Sequence, residues 1–271
     1  MSTLQSILLG ALQGVAEFLP ISSSGHLVLA RHLWGLGGVP VLYDVFLHVS
    51  TLVVVLVVFR HRIAAILGAL GRWLVGRRKP GLRRETDGEN LRLLGYILLG
   101  SVPTAAVGLL ISRIEEGVVG EPRIVAALFL ATAAILLSTL LARGRKGYRE
   151  IGVLAVLVIG LAQGIGVLPG ISRSGITISA ALLLGLEREK AGEFSFLLAI
   201  PAIAGALLLQ LREADALLAQ VRPLALSAWV VASFAVGLAA LVLLLRLVRA
   251  GRLPWFAAYL VPLGVVGLAL L

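Results

Sequence analysis

The chain has 271 residues, of which 59% are hydrophobic and only 14% charged, and it contains no cysteine. A soluble domain carries about 25% charged residues, so this composition indicates a membrane protein, and the lack of cysteine excludes disulfides and thiolate metal sites. We attribute the formal net charge of +10 to membrane topology and expect no nucleic-acid partner, because basic residues collect on the cytoplasmic side of membrane proteins.

The first predicted element is a broken helical hairpin. Residues 11–30 read ALQGVAEFLPISSSGHLVLA. The first helix must end just before Pro20, because proline lacks a backbone donor and pushes the preceding residue out of the helical region. A second helix is expected to restart at Ser22–Ser24, where serine hydroxyls cap free backbone N–H groups. The sequence leaves open whether this hairpin spans the bilayer or re-enters from one side.

Six further apolar runs approach the length of about 20 residues that crosses a bilayer. They cover residues 41–59, 93–111, 124–142, 191–211, 227–248 and 253–271. Lys and Arg concentrate in the stretches 60–90, 143–149, 188–190 and 246–252, which the positive-inside rule assigns to the cytoplasm. We interpret 60–90 as a basic cytoplasmic loop; an interfacial amphipathic helix over 60–79 is the alternative.

A second copy of the hairpin sequence begins 150 residues after the first. Residues 161–180 read LAQGIGVLPGISRSGITISA, and seven of the 20 aligned positions are identical. Three predicted spans separate the copies, so the copies enter the membrane from opposite faces as an inverted-topology repeat. We therefore predict an all-α polytopic integral membrane protein with two helix–break–helix hairpins and about six transmembrane helices. It forms one membrane domain, 1–271, with repeat one over about 1–112 and repeat two over about 151–248.

The polar residues of the two hairpins predict an anion site inside the membrane. Two helix N-termini, their hydroxyls and one arginine converge if the copies face each other, and this combination binds phosphate or diphosphate. The candidate binding residues are Gln13, Ser22, Ser24, Ser172, Ser174 and Thr177. For Gln13, hydrogen bonding between helices is an equal alternative.

The differences between the copies indicate chemistry. Glu17 aligns with Val167, Ser23 with Arg173, and His26 with Ile176. The first copy thus supplies acid–base groups and the second a positive charge, a division that suits phosphoryl transfer. The catalytic candidates are Glu17, Ser23, His26 and Arg173. The competing hypothesis is a transporter or flippase for an anionic polyprenyl lipid built on the same inverted repeat.

Three motifs also resemble a known family. QGVAE at 13–17 is similar to a Glu/Gln-x-x-x-Glu pattern, PGISRSGIT at 169–177 matches Pro-Gly-x-Ser-Arg-Ser-x-x-Thr, and SSSGH lies at 22–26. Together they resemble the bacterial undecaprenyl-diphosphatases of the bacitracin-resistance type over essentially the whole chain. Gln13 occupies the leading position of the first motif, which leaves Glu17 as the main acidic group.

The resemblance implies hydrolysis of undecaprenyl diphosphate to undecaprenyl phosphate and inorganic phosphate, which recycles the lipid carrier for peptidoglycan synthesis. It implies a multi-pass protein among the lipids of the bacterial cytoplasmic (inner) membrane, with its site facing the periplasm or the outside. It implies a divalent cation, Mg or Ca, with Glu17 as base or metal ligand, and Arg173 binding the phosphoryl group. Ser23 and His26 are rival nucleophiles, of which we favour Ser23. Metal identity, a homodimer, chain-length preference and lipid flipping stay open.

Overall fold

The computed structural model describes residues 3–34, 41–76, 85–118, 121–210 and 223–270. Eleven α-helices lie within these ranges, and the all-α class is confirmed. The helices are α1 Thr3–Phe18, α2 Ser23–Trp34, α3 Val41–Val58, α4 Arg60–Gly76, α5 Asp87–Val118, α6 Pro122–Ser138, α7 Val153–Ile165, α8 Arg173–Leu183, α9 Arg188–Gln210, α10 Pro223–Arg249 and α11 Ala257–Leu270.

Five helical stretches in the described part of the chain are long and apolar enough to cross a membrane. They are Asp87–Ile111, Pro122–Leu141, Arg188–Leu208, Leu224–Arg249 and Leu253–Leu270. A sixth span results if α3 and α4, which meet at a bend of 76°, count as one. Five of the six spans predicted from hydropathy are therefore confirmed, and the sixth, 41–59, reaches the required length only together with α4. Helices α1 and α7 are the shorter apolar helices that open the two hairpins.

The expected loop over 60–90 needs correction, because its first part is the helix α4. The apolar residues between the arginines explain this, since Ile66 and Ala69 are buried on one side of the helix. Arg72 also closes a bidentate ion pair with Asp87, with Nε–Oδ2 and Nη2–Oδ1 distances of 2.9 and 2.6 Å. The alternative of a helix is thus correct for 60–76, and residues 77–84 lie outside the described part.

The two halves of the repeat pack reciprocally. The first hairpin helix, α1, lies along α10 of the second half, and α7 lies along α5 of the first half. Glycines four residues apart let both pairs of backbones approach closely, as in other membrane helix pairs. The close approaches are Gly10 to Trp229, Gly14 to Ser233 and Gly237, Gly160 to Gly100, and Gly164 to Thr104 and Val107. Because Gly160 and Gly164 follow Gly10 and Gly14 by the same 150 residues, the repeat extends beyond the segment seen in the sequence.

Two helices outside the repeat complete the site region. Helix α6 packs against α11, and it also contacts α2 and α8, the second helices of the two hairpins. Phe129 and Val125 of α6 are fully buried in the main apolar core. Helix α6 therefore holds both hairpin breaks from one side.

Candidate active site

The breaks of the two hairpins touch each other. The hydroxyl of Ser22, in the first break, accepts a hydrogen bond of 2.9 Å from the backbone N–H of Gly170, in the second. In return, the hydroxyl of Ser174 donates to the backbone carbonyl of Phe18 at 3.1 Å. The expectation that the two copies meet is therefore correct for their backbones, and the polar residues of both breaks lie in one region.

Each break contains one residue in the left-handed backbone region. Gly170 has φ of +97°, and a Cβ there would also collide with the carbonyl of Val125. Ser22 has φ of 66°, which costs a residue with a side chain about 1 kcal/mol. Its hydroxyl accepts from Gly170 N–H and, at 3.4 Å, from Gly25 N–H, so the strained residue both caps α2 and joins the hairpins.

A carboxylate, a hydroxyl and a guanidinium form one cluster beside these breaks. Ser23 Oγ donates to Glu17 Oε2 at 2.6 Å, and Arg173 Nη2 donates to Glu17 Oε1 at 2.6 Å. The side chains of Glu17 and Arg173 are 11% and 22% exposed. A charge so poorly hydrated is stable only when it is paired, and here each partner comes from a different copy of the repeat.

The imidazole of His26 points to a different set of partners. Its Nδ1 lies 2.8 Å from the carbonyl oxygen of Ser22, and its Nε2 lies 2.7 Å from the hydroxyl of Tyr259. A carbonyl can only accept, so Nδ1 donates to Ser22 O, and in the neutral imidazole Nε2 accepts from the Tyr259 hydroxyl. The ring also packs near Phe129, with centroids 5.1 Å apart. Both ring nitrogens of His26 are therefore already hydrogen-bonded. The side chain that accepts the Ser23 hydroxyl hydrogen is Glu17, not His26.

Sequence reasoning missed Tyr259, which lies on α11 outside both copies of the repeat. The usable signal was a hydroxyl inside an apolar span, since such groups in membranes generally find a polar partner. Its phenol is partly exposed on the surface of the bundle, while the imidazole that it contacts is buried.

The remaining predicted hydroxyls mostly shape the second hairpin. Ser172 caps α8 by accepting from Gly175 N–H at 3.1 Å, and Thr177 donates to the carbonyl of Arg173 at 2.7 Å. Ser24 is half-buried and has no polar partner among the described residues. Ser172 and Thr177 therefore fix the start of the helix that carries the guanidinium.

Thr132, on α6, is a second residue that the sequence did not single out. Its hydroxyl donates to the carbonyl of Gly170 at 2.8 Å and accepts from the backbone N–H of Ser172 at 3.2 Å. It satisfies two backbone groups that the break leaves without helical partners, which a buried break requires.

In both aligned glutamines the amide oxygen, Gln13 Oε1 and Gln163 Oε1, is buried and has no hydrogen-bond partner among the described residues. Gln163 donates from Nε2 to the carbonyl of Leu198 at 3.1 Å, so helix–helix bonding describes it well. Gln13 is 1% exposed, and its Oε1 has no hydrogen-bond partner in the described part of the structure. This free amide oxygen lies one helical turn before Glu17 on the same helix face.

The oxygen atoms near Glu17 could bind a divalent cation only together with the phosphate groups of a substrate. No cluster of three His, Asp or Glu side chains lies within the described ranges. One carboxylate and one free amide oxygen, from Glu17 and Gln13, are too few for a protein-only cage. Mg²⁺ is usually bound by one or two carboxylates together with substrate phosphates, and one carboxylate is what this region offers.

Fold and site together define a polytopic α-helical membrane protein whose carboxylate–hydroxyl–guanidinium cluster lies where two broken hairpins meet. The chain belongs to the bacitracin resistance protein BacA family, whose model matches residues 6–266. Relatives named undecaprenyl-diphosphatase include those of Treponema denticola, 44% identical over 98% of this chain and 96% of the relative, and Desulforapulum autotrophicum, 40% identical over 99% and 98%. A third, from Korarchaeum cryptofilum, is 40% identical over 100% of both chains.

Proposed function

We propose that this protein hydrolyses undecaprenyl diphosphate to undecaprenyl phosphate and inorganic phosphate. The observation that carries the proposal is the cluster in which a hydroxyl, Ser23, and a guanidinium, Arg173, both bond to the carboxylate of Glu17. These groups have the chemistry of a nucleophile, an anion ligand and a proton acceptor. The family match and the full-length relatives named as diphosphatases support the substrate. Those relatives carry the name of a hydrolase, and no observation favours the transporter hypothesis.

The first step is attack by Ser23 on the terminal phosphorus. Glu17 Oε2, which already accepts the Ser23 hydroxyl hydrogen at 2.6 Å, takes the proton as the Oγ–P bond forms. The bond from this phosphorus to the bridging oxygen breaks, and its electron pair leaves with undecaprenyl phosphate. His26 is the alternative nucleophile, but its two nitrogens are bonded to Ser22 and Tyr259.

Water completes the reaction in a second step. It attacks the phosphorus of phosphorylated Ser23, and the Oγ–P bond breaks. The proton held by Glu17 returns to Ser23 Oγ, and both hydrogens of the water leave with inorganic phosphate. The same carboxylate therefore acts as base in the first step and as acid in the second.

Arg173 binds the phosphoryl oxygens during both steps. One of its nitrogens is used by Glu17, and a guanidinium has further N–H donors for two oxygens of a phosphate. Fixed donors in a poorly hydrated site stabilise the charge that develops in the transition state. A divalent cation bound with the diphosphate would neutralise further charge there, with Gln13 Oε1 as its protein ligand, because Glu17 takes the proton in this mechanism.

The site is proposed to open to the outer face of the bacterial cytoplasmic membrane. The positive-inside rule supports this orientation, since the segment 143–149 and the start of α9 carry the inner basic residues. The lipid tail then lies among the apolar helices, and the diphosphate reaches the breaks from the outer surface.

Trapping the covalent intermediate tests the function and the mechanism together. Purified protein in detergent is mixed with undecaprenyl diphosphate labelled in its terminal phosphate and quenched within milliseconds. We expect phosphate release at steady state and a labelled serine at position 23. Ser23→Ala should abolish both, whereas Ser227→Ala, which alters an exposed hydroxyl bonded only to Leu224 O, should keep both.

Two results would overturn parts of this proposal. Label on His26 would reject Ser23 as the nucleophile while keeping the diphosphatase function. Binding of the lipid without any phosphate release by the wild-type protein would reject hydrolysis and favour transport.

A further inference from the structure

A cavity of about 690 Å³ lies at the opposite end of α8 from the catalytic cluster. Leu182 lines it, near the C-terminus of the helix that Arg173 begins. At 1.5 Å of rise per residue, the two residues are about 14 Å apart along the helix axis. The cavity is therefore separate from the site of the proposed hydrolysis, and nothing in that reaction uses it.

Three arginines line this cavity without a compensating carboxylate. Arg143, Arg145 and Arg188 contribute to its wall, and no acidic residue does. None of the three forms an ion pair with a described residue, whereas the neighbouring Arg249 is paired with Glu189 at 2.7 Å. The positive-inside rule requires basic residues on this side of the membrane, but it does not require them to converge on one cavity.

The wall that carries the arginines is held in place by backbone contacts. Lys146 N–H donates to the carbonyl of Gly185 at 2.8 Å, and Glu187 N–H donates to the carbonyl of Lys146 at 3.1 Å. Two residues after Lys146, the buried Tyr148 donates to Glu193 at 3.0 Å, and burial together with Glu193 raises the pKa of Tyr148. These bonds fix the backbone beside Arg145 against the chain that leads to Arg188, so both arginines are held at the same end of α8.

The other side of the cavity is apolar. Leu182, Val248 and Leu253 line it, and the guanidinium of Arg188 packs closely against Gly251. Positive charge beside apolar side chains, at a membrane surface, suits a ligand that has an anionic phosphate and a hydrocarbon part. Each basic residue near such a surface contributes about 1 kcal/mol to the attraction of anionic lipids.

From this geometry we infer that the cavity binds a phosphate group, supplied by the headgroup of an anionic phospholipid on the cytoplasmic side. Free inorganic phosphate has the same recognition chemistry, and the experiment separates the two sources. The inference does not depend on the proposed hydrolysis.

Native mass spectrometry of the full-length protein provides the test. Wild-type protein in detergent is titrated with phosphatidylglycerol and, separately, with zwitterionic phosphatidylcholine of the same chains. The cavity variant is Arg145→Gln with Arg188→Gln. The matched control is Arg60→Gln with Arg92→Gln, which removes two arginines from outside the cavity lining. We expect wild type to retain phosphatidylglycerol over phosphatidylcholine and the cavity variant to bind it about tenfold more weakly.

The possible results distinguish three explanations: binding of a lipid headgroup, binding of free phosphate, and a general attraction between anions and basic residues anywhere on this side. Loss of phosphatidylglycerol in the cavity variant, but not in the control, supports the lipid headgroup. If the two lipids bind wild type equally, but inorganic phosphate raises the Tm of wild type more than that of the cavity variant, free phosphate is the ligand. The inference would be overturned if both double variants lost the same amount of phosphatidylglycerol. It would also be overturned if wild type neither preferred phosphatidylglycerol to phosphatidylcholine nor gained Tm from inorganic phosphate. Normal diphosphatase turnover of the cavity variant shows that it is folded.

Discussion

The carboxylate of Glu17 and the guanidinium of Arg173 meet at 2.6 Å although 156 residues separate them in the chain. Each comes from a different copy of the duplicated hairpin, and at both positions the other copy has a different residue. Two identical copies of the hairpin would therefore not contain this pair. Removing either member leaves the other charge poorly hydrated and unpaired, which is costly in a membrane.

Arg173→Lys is expected to lower kcat for phosphate release at least about a hundredfold. A lysine keeps the charge but has one compact ammonium, which cannot hold Glu17 and two phosphoryl oxygens at once. The measurement is turnover of undecaprenyl diphosphate in detergent. Arg60→Lys, at an exposed arginine bonded only to Val57 O, is the control and should be unchanged. Activity of Arg173→Lys close to wild type would contradict the assigned role.

His26→Ala and Tyr259→Phe should differ in degree. His26→Ala removes both hydrogen bonds of the imidazole and frees the strained break at Ser22, so we expect turnover to be lost. Tyr259→Phe removes only the second bond, which is worth roughly 1 kcal/mol or about a fivefold effect on kcat. Steady-state kinetics of both variants check this ordering, and an equally complete loss in Tyr259→Phe would show that the phenol acts on the substrate itself.

Chelation of divalent cations should inhibit the enzyme reversibly. We expect excess EDTA to abolish phosphate release and added Mg²⁺ or Ca²⁺ to restore it, because the diphosphate needs more positive charge than Arg173 alone provides. Gln13→Leu removes the free amide oxygen one turn from Glu17 and should raise the Mg²⁺ concentration needed for half-maximal activity. Full activity in EDTA would show that the protein groups suffice.

Gly170→Ala is expected to destabilise the protein by about 1–3 kcal/mol. Its φ of +97° is unfavourable for alanine, and the added Cβ would collide with the carbonyl of Val125. The lower Tm in detergent can be followed through tryptophan fluorescence. Gly71→Ala, where nothing lies within 4 Å of the new Cβ, should leave the Tm unchanged or slightly higher. Similar Tm values for the two variants would mean that the second break is not rigid.

Patterns that extend over many residues were predictable from the sequence. Hydropathy over about 20 residues located the spans, and the combination of Pro20 and the following serines located the first break. The exact 150-residue offset made the second break visible as well. These features could be predicted because a membrane and a proline impose constraints that act locally.

Single polar contacts between distant helices were not predictable. Thr132 and Tyr259 lie outside the repeat, and each is one hydroxyl in an otherwise apolar helix. Only the packing of α6 and α11 on the hairpins brings them to the breaks, and nothing local in the sequence records that packing. Helix α4 was hard to predict because its arginines lower the mean hydropathy of the segment, which then resembles a basic loop although it is helical.

The reciprocal packing of the hairpins has a consequence for biogenesis. Helix α1 is synthesised first, but the helix that it lies along begins only at Pro223, and Arg173, which pairs with Glu17, begins α8, so Glu17 enters the membrane before its counter-charge exists. Until α8 is made, the nascent N-terminal half therefore carries a carboxylate without its ion-pair partner, which is costly in a membrane. We expect neither half of the chain to fold correctly alone, and co-expression of the two halves as separate chains to be the minimum that yields a complete enzyme.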